Sequence, residues 1–533
     1  MNARRLWLHL LFAWLVVATI TSWPYLYGLL NYQSSNINHQ PSHFIGFTHN
    51  IDDACVYLTW INQARDGHFF IQNLYTTEPQ RLLPFNVLFL AMGLFSRITS
   101  ISPTLTFHLW RILLIPVLFL AISRLCKALE REQLAPAAIW LAALSSGLGW
   151  LLNFGRSINR PVDLWQPEAI TFLSAYLNPL FLASMALMIW ALVGLLKSVK
   201  SGSVAPALQA GIALLLLANI HTYDLVTIAL TWAAYTIVLL YLNRTEAWRA
   251  LKYGFVAAAF ALPTLAYQLF LYLREPVYRL RAETPAESPA IWFFLIGYGL
   301  LLIFAAIGAA GGIRKKDRMT VFLVLWALAG FAAVYLPMAQ QRKLIMGTHI
   351  PLCILAAAAL VPAIARSRSV RPTLLWLLAL VAMFPSNRAF LCDDVLLLRQ
   401  HETAPNFPAA LSDDETQVLK WLSHNAKPDD MVLAPPALAL FIPPLTGKRV
   451  YYGHWSETVD YRDKLNEWIR FADVSASQAE RARFLHGSRV RFVVQDLQPM
   501  LVGMRILGGP LPSNVGREVF RSGHLAIYRV SER

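Results

Sequence analysis

The chain has 533 residues, of which 56% are hydrophobic and only 14% charged, and its mean hydropathy is +0.46. This composition excludes an ordinary soluble globular protein and makes a lipid bilayer part of the solvent. The net charge of +15 would suit nucleic acid, but much of the Lys and Arg lies in short stretches between apolar runs, where membrane orientation explains it, so no nucleic-acid partner is expected.

In chain order, an apolar run at about 6–30 follows Arg4 and Arg5. It is longer than a signal-peptide core and lacks a clear small-residue cleavage site, and it reads as a retained membrane anchor. Further runs long enough to approach roughly 30 Å of hydrocarbon fall at about 104–124, 135–154, 173–196, 206–221, 224–242, 253–273, 290–310, 319–338, 349–365 and 372–385, about eleven spans in all. Residues 83–97 are apolar too, but counting them would invert every later loop, so they are expected to lie on, or re-enter, the outer membrane surface. Alternate loops then hold Arg4/Arg5, Arg124/Lys127/Arg131, Lys197/Lys200, Arg244/Arg249/Lys252, Arg314/Lys315/Lys316/Arg318 and Arg366/Arg368/Arg371, an unbroken positive-inside pattern. It places the N-terminus in the cytoplasm of a multi-pass inner-membrane protein and the C-terminus outside.

The pattern turns soluble near Asp413. Residues 413–426 form an amphipathic helix pattern, strands are expected at 431–435, 449–453 and 491–496, helices near 460–472 and 477–487, and a last strand pair near 517–520 and 524–530. The predicted fold class is therefore mainly α, a polytopic transmembrane helical bundle with a C-terminal α/β soluble domain. Its expected organisation is a membrane module over 1–390, with a first outer loop at 31–103, and an extracytoplasmic domain over 391–533. The tail has no phosphate-binding Gly-rich loop and no nucleophile elbow. Its segment 453–461 groups His454, Glu457 and Asp460, which either line a site or decorate a polar loop.

Four polar clusters fall at expected outer ends of spans. Asp52 and Asp53 lead into an amphipathic helix at 54–65 whose apolar face is expected on the membrane; either carboxylate could act as general base on an acceptor hydroxyl or hold a divalent ion, or simply cap the helix. The outer loop 155–172 carries Asp163 and Glu168, and a tight turn holds His221 and Asp224. Arg342 and Lys343 suit a lipid-linked phosphate, Arg as a bidentate donor and Lys as a point charge, or else snorkel to headgroups. The four cysteines show no zinc-ligand spacing and look structural, although Cys55 and Cys392 fall on the same expected side and could pair.

The acidic pair in a long first outer loop, the juxtamembrane helices there, the outer-loop Asp/Glu, the turn with His221 and Asp224, the late basic pair and the α/β tail together resemble the GT-C superfamily of membrane glycosyltransferases. More loosely they resemble bacterial dolichyl-phosphate-mannose-protein mannosyltransferase-like proteins. The resemblance implies an inverting transferase with a polyprenyl-phosphate sugar donor and a glycan, lipid or protein acceptor. It assigns the base or metal-ligand role to Asp52 or Asp53 and donor-phosphate binding to Arg342 and Lys343, and Asp163, Glu168, His221 and Asp224 are expected to bind substrate. No cofactor is called for beyond a possible divalent metal ion. The alternative is a transporter or lipid flippase, which fits less well because the two halves show no matched broken helices.

Overall fold

The computed structural model describes residues 3–32, 36–37, 40–152, 159–367, 371–400, 408–502 and 505–530. It divides into two compact units, each assembled from segments far apart in sequence. A helical unit comprises Met1–Trp23, Phe107–Phe270 and Glu283–Asp393, and a mixed unit comprises Pro24–Thr106, Leu271–Ala282 and Asp394–Arg533. The mixed unit thus contains the first loop as well as the tail, together with a short segment that begins in the last turn of the long Arg244–Arg274 helix.

Among the described residues eight helices are long and apolar enough to cross a membrane: Arg4–Asn31, Pro103–Ala128, Glu132–Leu151, Pro179–Ser201, Asp224–Leu242, Arg244–Arg274, Ile291–Arg314 and Gln341–Arg366. Pro372–Ala382 and Pro385–Arg399, bent by 51°, make a ninth if they cross as one broken span. The expected spans at 206–221 and 319–338 fall on the apolar helices Ala205–Ile220 and Arg318–Ala333. At 16 residues each these reach about 24 Å, so a count of eleven requires both short helices and the bent pair to cross. The last residues of the expected 135–154 span lie outside the described residues.

Local sequence sets the ends of these helices. Asn178 accepts the Leu180 amide N–H and Pro179 opens the following helix at a position where its missing N–H costs nothing. Asp317 accepts the Met319 N–H in the same way. Close backbone approach needs glycine where the 145–149 turn meets the Ile291–Arg314 helix: a Cβ on Gly147 would stand 2.3 Å from the Gly297 carbonyl carbon, and one on Gly297 would stand 2.5 Å from Val162 Cγ2. Those glycines let the loop carrying Asp163 settle into the helical unit.

In the mixed unit, a five-stranded sheet runs in the order Arg449–Val450, Met431–Leu433, Val490–Asp496, Leu525–Val530 and Gly516–Ser522. The first three strands are parallel and the last two pair antiparallel. Helices Tyr461–Ala472 and Gln478–Ser488 contribute Trp468, Phe471 and Leu485 to a core with Leu433, Tyr452, Val493 and Ala526. The Asp413–Asn425 helix opens on a reciprocal capping box between Ser412 and Glu415.

Three features depart from expectation. The Ile51–Asp66 helix turns its apolar side into the protein, burying Ala54, Val56, Leu58, Trp60 and Ile61 against the Val87–Thr99 and Pro436–Thr446 helices, so that face is not offered to the membrane. By contrast, residues 83–97 hold only the 13-residue Val87–Thr99 helix, in keeping with a stretch that does not span, and it buries Leu88, Phe89 and Met92. A first-loop strand, Gln40–Phe44, pairs antiparallel with Ala410–Ser412, joining Ser42 to Ser412. All four cysteines are free thiols, so Cys55 and Cys392 are not bridged.

Candidate active site

The first-loop carboxylates lie inside the first turn of the Ile51–Asp66 helix, behind Asn50, whose left-handed backbone (φ 47°) starts the helix without a side-chain cap. Neither aspartate therefore stands at the capping position. Asp52 Oδ2 accepts the Trp455 indole N–H at 3.0 Å. His454 Nε2 lies 3.9 Å from Asp52 Oδ2 and 3.9 Å from Asp53 Oδ1.

The protonation of that ring follows from its other nitrogen. His454 Nδ1 accepts the Ser456 amide N–H at 3.2 Å, so the neutral ring carries its proton on Nε2, the atom facing the two carboxylates. The ring is 1% exposed and Nε2 has no hydrogen-bond partner. It is held between the Tyr75 and Trp455 rings at centroid distances of 5.9 and 6.0 Å. Tyr75 is fixed in turn by donating to the Leu440 carbonyl at 3.0 Å, while its own carbonyl accepts from Thr458 at 2.7 Å. Of the three groups read in 453–461, His454 faces the aspartates, Glu457 is buried elsewhere in the unit and Asp460 merely starts a helix at φ 53°.

In the helical unit three of the four polar clusters come together. Asp163 is fully buried in the Val162–Leu164 turn, and its Oδ2 accepts the Gly147 and Gly149 amides at 3.0 and 3.1 Å. Burial pushes its carboxyl up to about 6 against the pull of those amides. The neighbouring Gln166 donates to the Arg342 carbonyl at 2.7 Å, and the Arg342 guanidinium lies over the Trp165 ring at 5.2 Å. Lys343 lies over the Tyr223 ring at 5.6 Å, inside the turn that carries His221 and Asp224.

Arg342 and Lys343 sit in a 3₁₀ turn, Gln341–Ile345, fixed by a backbone bond from Arg342 N–H to the Ala286 carbonyl and by the Thr227 hydroxyl donating to the Leu344 carbonyl. Among the described residues no carboxylate pairs with Arg342, so its guanidinium keeps its charge available for an anion. His221 Nδ1 and Asp224 Oδ2 are 2.8 Å apart and buried, while His221 Nε2 and Asp224 Oδ1 have no partner. Glu168 is buried and acts electrostatically on Asp224. The pair thus closes the helical hairpin and still presents two unsatisfied polar atoms.

Residue type alone did not single out Trp165, Gln166 and Trp455; an aromatic residue two positions from a loop carboxylate was the only local signal. Among the described residues no group of three or more His, Cys, Asp or Glu side chains is placed to hold a metal ion.

The fold is similar to that of solved sugar-transferring enzymes, and the apolar helices make the chain a multi-pass membrane protein. Solved structures of three proteins show the likeness. The oligosaccharyltransferase AglB from Archaeoglobus fulgidus, in complex with an inhibitory peptide and a dolichol-phosphate, matches at a TM-score of 0.55 and 13% identity over 93% of this chain and 70% of its own. ArnT from Cupriavidus metallidurans matches at 0.51 and 13% over 99% and 98%, and its structure bound to undecaprenyl phosphate at 0.50. The arabinofuranosyltransferase AftD from Mycobacteria matches at 0.51 and 17%, with all of this chain covering 40% of that one. No family model and no curated protein matches the chain.

Proposed function

We propose that the chain is a membrane glycosyltransferase that moves a sugar from a polyprenyl-phosphate donor to an acceptor hydroxyl at the outer face of the cytoplasmic membrane. The observation that carries this reading is the GT-C fold, shared end to end with a protein solved bound to undecaprenyl phosphate. The Arg342 and Lys343 pair, laid over aromatic rings, supports it.

In the proposed reaction Asp52 or Asp53 takes the proton of the acceptor hydroxyl as its oxygen bonds to the anomeric carbon. The bond from that carbon to the phosphate oxygen breaks on the opposite side, so the centre inverts. The polyprenyl phosphate leaves with the electron pair, and Arg342 and Lys343 meet its growing negative charge. His454 acts as a positioning residue: its Nε2–H faces both aspartates, 3.9 Å from each. Asp163, Glu168, His221 and Asp224 are assigned to hold the donor sugar, with hydroxyls meeting the unsatisfied Asp163 Oδ1, His221 Nε2 and Asp224 Oδ1. The acceptor is a glycan, lipid or protein.

The test is reconstitution of the purified protein with polyprenyl-phosphate sugars, together with mass spectrometry of envelope glycans and lipid-linked sugars in a deletion strain. Transfer lost separately in Asp52→Asn or Asp53→Asn, with normal insertion, supports the reading. Unchanged glycans alongside failed movement of a solute would replace it with transport. Labelling that puts Asp52 and Arg342 on opposite membrane faces would also end it, and activity with and without a chelator decides metal dependence.

A further inference from the structure

The mixed unit holds a small, open cleft at its surface. Trp60, Asn73, Glu275, Tyr278, Arg281 and Glu457 give it its polar and aromatic character, and leucine, proline and valine side chains complete the wall. Its charged groups are built rather than incidental. Arg281 donates through Nε to Glu457 at 2.8 Å and lies over the Trp60 ring at 4.6 Å, while Asn73 Nδ2 donates to Glu457 Oε2 at 3.2 Å. The guanidinium is thus locked with only part of its donor fork engaged.

Glu275 supplies the second observation. Its Oε2 accepts the Arg81 and Leu82 amides at 3.1 and 3.2 Å, which fixes the carboxylate. Its Oε1 is buried with no partner, and the residue is 4% exposed. A buried acceptor left in this state costs free energy unless a ligand satisfies it.

We infer that this cleft binds a saccharide, and that it holds the acceptor glycan of the proposed transfer. The argument is one of chemical exclusion. A cation would satisfy Glu275 but meets Arg281, and an anion would satisfy Arg281 but meets Glu275 and Glu457. Hydroxyls both donate and accept, so a polyol serves the carboxylate and the guanidinium together, and the apolar wall suits the C–H face of a sugar ring. Trp60 lies seven residues after Asp53 on one helix, on the same side and about 10 Å along the axis. The 453–460 loop likewise offers His454 to the aspartates and Glu457 to the cleft. A glycan seated here therefore runs toward the candidate base.

The inference rests on the glycosyl-transfer reading only for the word acceptor; the saccharide site stands or falls separately. Binding to the full-length protein in detergent is measured by saturation-transfer NMR, using methyl glycosides of mannose, glucose and arabinose and their trimers, with spermidine and inorganic phosphate as the ionic alternatives. We expect at least one glycoside to bind, about tenfold or more weakly in Glu275→Gln and Arg281→Met. Leu82→Trp, which fills the cleft without removing a charged group, is expected to abolish binding and keeps the test valid if either polar variant misfolds. No glycoside bound at about 10 mM, binding indifferent to all three cleft variants, or cleft-dependent binding of spermidine or phosphate alone overturns the inference. Glycoside binding without any transfer activity would instead remove the enzymatic reading and leave the saccharide site standing.

Discussion

The two units hold their charges by different means. In the helical unit the buried carboxylate of Asp163 is met by backbone amides and the cations Arg342 and Lys343 by aromatic faces. In the mixed unit cation meets carboxylate: Arg281 with Glu457, and Lys464 with Glu78 at 2.7 Å. Aromatic rings stabilise a cation without consuming its charge, so Arg342 and Lys343 keep a positive charge that Arg281 and Lys464 share with a carboxylate. This difference suits the first to a charged, changing ligand and the second to a neutral, polar one.

The sharpest way to break the comparison is to remove a reacting group. Asp52→Asn or Asp53→Asn, whichever carries the proton, should lower transfer by about 10²–10⁴-fold in reconstituted vesicles. Arg342→Ala should follow at about 10²–10³-fold, chiefly in kcat, since its charge is used as the phosphate departs. A loss confined to KM would assign it to ground-state binding of the lipid donor instead.

Asp163 offers a pH test. Its native value near 6 lies above the roughly 3.9 of an unfolded aspartate, so its stabilising contribution is complete below about pH 4 and is lost as the pH rises through 6. The wild type should lose about 3 kcal/mol across that window relative to Asp163→Asn, read from unfolding midpoints at several pH values. A parallel pH profile in the two proteins would mean that the carboxyl is solvated in the membrane.

Packing predictions come next in size. A Cβ on Gly93 would stand 2.3 Å from Ala64 Cβ and 2.7 Å from the Ile61 carbonyl oxygen, so Gly93→Ala should push the two first-loop helices apart at a cost of about 1–3 kcal/mol in thermal unfolding. Tyr75→Phe removes one buried hydrogen bond to the Leu440 carbonyl and should cost about 1 kcal/mol, with a smaller loss of activity through the displaced His454.

Apolar runs and strand alternation are local signals, and through them the long membrane helices and the five principal strands of the tail were legible. The Pro436–Thr446 helix was not, because Pro443 and Pro444 argue against a helix where only burial sustains one. Nor was the pairing of Ser42 with Ser412, since two short strands so far apart carry no mutual signature. At the candidate site the ionisable residues were visible as span-end clusters. Which of them meet was not, because Trp165 on Arg342 and Tyr223 on Lys343 are products of loop packing. The same holds for His454: its sequence neighbours are polar, but its orientation depends on Tyr75, nearly four hundred positions earlier.

That first-loop strand also constrains how the molecule is made. His43 on Gln40–Phe44 meets Asp413 at 2.5 Å across a separation of 370 residues, and Ser42 faces Ser412 beside it. At about 5–20 residues per second, the ribosome needs roughly 20–70 s to supply the missing partner. During that interval the nascent segment has an open hydrogen-bonding edge, and a transcript truncated before Ala410 leaves it open for good. Shortened products should therefore be substrates for membrane quality control even when every spanning helix has been inserted.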